Sequence, residues 1–97
     1  MPKDVPAAPL VRRLAIRNRK GLHARASARF VSTVEAHDAR AVVRFDGIEA
    51  PGDSIMGLMT LVAAQGSEIE VETSGPEAEA LMEALSSLLA DRFGEPD

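Results

Sequence analysis

The run Glu68-Ile69-Glu70-Val71-Glu72-Thr73 alternates an acid with a β-branched residue at every step. A period of two puts the two kinds on opposite faces of a strand, so its sheet buries one face and opens the other to water. A chain of 97 residues has room for one core. The helices it contains must therefore gather on the apolar side of that sheet.

The remaining elements read in order around it. Residues 1–9 hold Pro2, Pro6 and Pro9 without apolar periodicity and are expected to form a disordered extension. The domain itself is assigned to residues 10–94, with 95–97 as a C-terminal tail. Leu14 and Ile16 alternate with Ala15 and Arg17, which predicts a first strand starting after Leu10. From Ala24 to about Ala36, residues Ala26, Phe30 and Val34 share a helical face. Ala41, Val43 and Phe45 alternate up to Asp46-Gly47, a type I′ hairpin signal leading into Ile48-Glu49-Ala50. Ser54 is a good N-cap for an apolar helix running from Ile55 to Val62. Gly75-Pro76-Glu77 predicts a helix start with proline at its first position, and Ala78, Leu81, Met82, Leu85, Leu88 and Leu89 then form a stripe that Gly94 ends. The order is βαββαβα, an α+β two-layer open-faced sandwich: a four-stranded antiparallel sheet covered on one face by three helices.

Composition narrows the function. Three Phe with neither Trp nor Tyr argue against base stacking on aromatic platforms, and the absence of Cys removes thiolate chemistry. No cofactor or metal set is indicated. No apolar run reaches the ~20 residues of a membrane span, and the start lacks a secretory core, so a cytoplasmic protein without membrane insertion is expected. The net charge of −4 is polarised: residues 1–45 carry ten Lys or Arg and three acids (+7), residues 46–97 one Arg and twelve acids (−11). Such a chain is a poor ligand for nucleic acid, while basic residues gathered on one face would steer an acidic protein.

The chemistry concentrates in Gly21-Leu22-His23-Ala24-Arg25-Ala26-Ser27. His23 stands where a glycine-marked turn becomes a helix, beside backbone N–H groups that have no internal partner and the positive end of the helix dipole. An anion is stabilised there by ~0.3–1 kcal/mol, and Arg25 adds a full charge. Spacing alone leaves two readings open, a phosphoryl acceptor or an inert helix-end histidine. Met56 and Met59, on a short helix that cannot bury all its large side chains, are candidates for an adaptable docking surface, with burial in the core as the other reading.

Gly21-Leu22-His23-Ala24-Arg25 resembles the active-site signature of the HPr family, the histidine phosphocarriers of the phosphoenolpyruvate-dependent phosphotransferase system. Ser54-Ile55-Met56-Gly57-Leu58-Met59 is similar to the regulatory-serine segment of family members controlled by a serine kinase, and the element order is that of the HPr fold. The resemblance implies that His23 accepts a phosphoryl group from enzyme I and passes it to an enzyme IIA-type protein, with Arg25 stabilising the phosphate. It implies that Ser54 is phosphorylated by an HPr kinase/phosphorylase-type enzyme, and that partners dock on Ala24, Ser27, Ile55, Met56 and Met59. The protein is then a monomeric stoichiometric carrier rather than an enzyme. The alternative is a regulatory docking module of the same fold that transfers nothing. One position departs from the family: proline usually follows the arginine, and here Ala26 stands in its place.

Overall fold

A computed structural model describes residues 8–96; most of the expected N-terminal extension, residues 1–7, lies outside the described residues. The order is β1 (Leu10–Ala15), α1 (Ala24–Glu35), β2 (Arg40–Phe45), β3 (Ile48–Pro51), α2 (Ile55–Thr60), β4 (Glu68–Ser74), α3 (Ala78–Ala90) and a single 3₁₀ turn at Arg92–Gly94. The four strands form one antiparallel sheet in the order β1-β4-β2-β3. The alternation in β4 acts as anticipated: Ile69, Val71 and Thr73 are buried, and the glutamates between them face outward.

Register builds the two faces. Val71 pairs with Val43, and Val43 with Ala50, on the covered side. Phe30 of α1, Leu58 of α2, Leu81, Met82 and Leu85 of α3, and Phe93 complete the core above them, all fully buried. Arg13, Glu70, Arg44 and Glu49 form a row across all four strands on the open side. There Arg44 bonds Glu49 at 2.8 Å and Glu72 at 3.0 Å, and these two carboxylates raise its pKa, through their hydrogen bonds first. At the hairpin tip Asp46 (φ 53°) and Gly47 (φ 79°) both take the left-handed conformation that a type I′ turn requires.

Three boundaries depart from expectation. Pro76 is not the first residue of α3, which begins at Ala78. Glu77 donates its N–H to the Asp38 carbonyl and accepts the Asp38 N–H on its carboxylate at 2.7 Å, which holds residues 76 and 77 in a turn. Helix α2 stops at Thr60, and Val62, at φ 54°, is exposed instead of continuing the helix. The α3 stripe does not run on to Gly94: the helix ends at Ala90, and Arg92, Phe93 and Gly94 all adopt positive φ. This reversal turns Phe93 into the core.

Candidate functional site

His23 is the N-cap residue of α1, extended at φ −76° and ψ −177°. Its carbonyl accepts the first helical bond from Ser27 N–H at 2.9 Å, and its Nδ1 accepts from Arg25 N–H at 3.3 Å. The entry to the helix is fixed from behind. Gly21 has φ +67°, and a Cβ there would lie 2.4 Å from the Ala63 carbonyl oxygen, which accepts the Leu22 N–H at 3.0 Å. Only glycine combines that conformation with that approach. The segment leaving α2 therefore touches the two residues that precede His23.

The other ring nitrogen has a partner that sequence reasoning missed. Nε2 of His23 is hydrogen-bonded to a carboxylate oxygen of Glu95. Because Nδ1 accepts, the proton resides on Nε2, and Nε2–H donates to Glu95. Asn18, fully buried in the loop before the helix, donates from its amide to the Gly21 carbonyl at 2.7 Å and to the second Glu95 oxygen at 3.2 Å. Its own Oδ1 has no hydrogen-bond partner among the described residues, a burial that costs ~1–3 kcal/mol. Burial would push the Glu95 carboxyl up, but hydrogen bonds from His23 and Asn18, with the charges of His23 and Lys20, hold it below its ordinary 4.5.

Glu95 reaches this position through the left-handed turn. Two successive non-glycine residues at positive φ, Arg92 and Phe93, cost ~1–3 kcal/mol each. The fully buried Phe93 ring offsets that cost, and Arg29 of α1 donates to the Phe93 carbonyl. The signal available in the sequence was Phe93-Gly94 directly after the polar Asp91-Arg92: an aromatic beyond the stripe must turn inward, and the next residues then return across the molecule.

Arg19, Lys20, His23, Arg25, Glu95 and Pro96 line a small cleft of about 230 Å³. Three cations around one imidazole suit a mobile phosphate. Of the expected docking residues, Ala24 is exposed at the helix start, and Met56 (74%), Met59 (38%) and Ile55 (38%) are exposed on α2, joined by Val62 at 79%. Ser27 is a correction: it is fully buried and donates its hydroxyl to the Leu22 carbonyl, so it braces the turn and presents nothing to a partner. Ser54 caps α2 by accepting the Gly57 N–H at 2.9 Å. Among the described residues no group of His, Cys, Asp and Glu could hold a metal ion, and no helix is long and apolar enough to cross a membrane.

A helix-capping histidine in a basic cleft, on an open-faced βαββαβα sandwich, defines a class of small histidine-bearing carrier domains. A family model described as the PTS HPr component phosphorylation site matches residues 10–91. The chain is 43% identical over 82 residues to the phosphocarrier protein HPr of Neisseria meningitidis, covering 84% of this chain and 92% of that protein. It is 36% identical over 81 residues to the phosphocarrier protein NPr of Escherichia coli, covering 82% and 90% respectively. Its structure superposes on HPr from Thermoanaerobacter tengcongensis with a TM-score of 0.85 at 33% identity, over 91% of this chain and 99% of that one. The chain belongs to the HPr family of phosphotransferase-system phosphocarriers.

Proposed function

We propose that His23 accepts a phosphoryl group on Nδ1 from a phosphohistidine of enzyme I and passes it to a histidine of an enzyme IIA-type protein. The observation that carries this is the hydrogen-bond pattern of the ring. Nε2 is committed to Glu95, so the lone pair lies on Nδ1, at the helix N-terminus and against a single long hydrogen bond. Phosphoryl transfer asks for position and charge compensation more than covalent help. The unpartnered N–H groups of the first turn and the side chain of Arg25 supply the compensation, and Lys20 and Arg19 add to it. The protein turns over only with its partners, as a monomeric cytoplasmic carrier.

Ser54 is the regulatory position in this reading. A phosphate of roughly −1.5 to −2 charge is tolerated at a helix start. Beside Ile55, Met56 and Met59 it is costly to desolvate against an apolar or acidic partner, so its effect falls on docking. A docking module without transfer would use the same α2 face but gives no reason for the ring geometry of His23.

Incubation with phosphoenolpyruvate and enzyme I tests the carrier. Acid-labile phosphate is expected on the wild type and not on His23→Ala; a wild type left unlabelled by a competent enzyme I overturns the assignment. ATP and an HPr kinase/phosphorylase-type enzyme should give acid-stable phosphate on the wild type alone, and label persisting in Ser54→Ala would remove the regulatory site.

A further inference from the structure

We propose that Glu95 is a positioning residue for His23, and that the left-handed turn at Arg92–Gly94 exists to deliver it. The proposal rests on the carrier reading above. Three independent features converge on one carboxylate. The turn carries two non-glycine residues in a conformation that L side chains rarely adopt, followed by Gly94. It is pinned from both sides: Phe93 is fully buried, and Arg29 holds its carbonyl. Gly94, at φ +75°, takes a conformation that favours glycine and lies against the Arg29 guanidinium. Asn18, meanwhile, shares its amide between the Gly21 carbonyl and Glu95, and its own buried Oδ1 has no hydrogen-bond partner among the described residues. A surface tail needs none of these arrangements.

The chemistry gives the carboxylate two tasks. It keeps the proton on Nε2, so that Nδ1 is the nucleophile, and it fixes the plane of the ring. In the transfer step the Nδ1 lone pair forms a bond to phosphorus as the bond from phosphorus to the donor's imidazole nitrogen breaks, and that electron pair leaves with the donor ring. The proton on Nε2 stays in place. The positive charge that the His23 ring gains is shared by Nε2–H, directly against the Glu95 carboxylate. No further proton or co-reactant takes part. When the phosphoryl group moves on, the same pair returns to Nδ1 and the ring is again neutral with its proton on Nε2.

The experiment reads the ring before any reaction. Nitrogen-15 NMR of the neutral His23 ring should show a single tautomer, protonated on Nε2, in the wild type and in Glu95→Gln, whose amide oxygen still accepts that bond. Glu95→Ala should show a mixture of tautomers. Arg29→Ala should shift the ring signals the same way, because it unpins the turn. Phosphoryl acceptance from phosphorylated enzyme I should fall about tenfold or more in Glu95→Ala, with the loss in kcat and KM nearly unchanged. Glu95→Gln should fall between that variant and the wild type, since it orients the ring without the charge. Ring signals in Glu95→Ala identical to the wild type would overturn the proposal, and so would a tautomer mixture with an undiminished rate. Failure of the carrier reading is distinct: it appears as an unlabelled wild type, and the tautomer measurement stands apart from it.

Discussion

Ala26 is the one position of the signature that departs from the family, and the proposed carrier role makes its effect testable. It lies in the first turn of α1, fully buried, where proline is tolerated because the N–H it removes has no intrahelical acceptor. With alanine that N–H is retained in the helix turn that His23 caps. Ala26→Pro should change the hydrolysis rate of the phosphohistidine without unfolding the helix; equal rates in the two proteins would dismiss the idea. Glu95 carries a prediction of its own. Its carboxyl is held below 4.5 in the folded protein, so its contribution to holding the C-terminal turn is complete above pH 4.5 and is lost as pH falls through that lowered value. A carbon-13 titration of the side chain should have its midpoint below 4.5 in the wild type and a higher one in His23→Ala, where burial remains and the histidine partner is gone. The two residues also differ in how legible they are. His23 announces itself because a glycine, a histidine and a small-residue helix are adjacent in sequence. Glu95 meets it across seventy-two positions, and the only local sign was a Phe-Gly pair.

At the level of elements, periodicity, turn signals and caps located the four strands and three α-helices but not the 3₁₀ turn at Arg92–Gly94, and the errors fall where a tertiary bond overrides a local preference. Pro76 suits a first helical position, yet the Asp38 backbone claims Glu77 and delays α3. The apolar stripe of α3 suggested a helix reaching Gly94, yet burying Phe93 required a reversal. The family resemblance put Ser27 on the docking face, and its hydroxyl bond to Leu22 is invisible without the turn that brings them together. Ser54 was legible because an N-cap is a local device. Its oxygen accepts one N–H of a six-residue helix, and Ser54→Ala should lower the unfolding free energy by about 1 kcal/mol, measured by urea denaturation. Ser54→Asp keeps an acceptor at the cap and should regain most of that loss, while its charge beside Ile55, Met56 and Met59 weakens docking. A Ser54→Asp protein that is both fully stable and fully active with every partner would show that the serine is a cap and nothing more.

On the scale of the whole molecule, the two faces of the sandwich have separate electrostatic characters. The sequence is strongly polarised in charge, but the open sheet face cancels much of its own charge: Arg13, Glu70, Arg44 and Glu49 alternate in sign across the four strands, and Glu72 closes on Arg44 from the neighbouring row. With Glu68 on the same face of β4, the balance left on that side is acidic and does not attract an acidic partner. The cleft at His23 is different, with Arg19, Lys20 and Arg25 around it and Glu95 as the one acid among its described lining residues. An acidic partner is therefore drawn to the helix N-terminus and not to the sheet, which places the encounter next to the exposed apolar side chains of α2. Removing charge at the cleft, by Arg19→Gln with Lys20→Gln, should lower the rate of phosphoryl acceptance several-fold at low ionic strength. The deficit should fade at about 1 M salt, where screening acts within ~3 Å. Arg44→Gln should leave that rate unchanged while reducing thermal stability, because Glu49 and Glu72 then lose the cation they share. A deficit in the cleft variant that persists undiminished in high salt would mean that those side chains act by direct contact, and an equal loss of rate in Arg44→Gln would mean that partners read the sheet face after all.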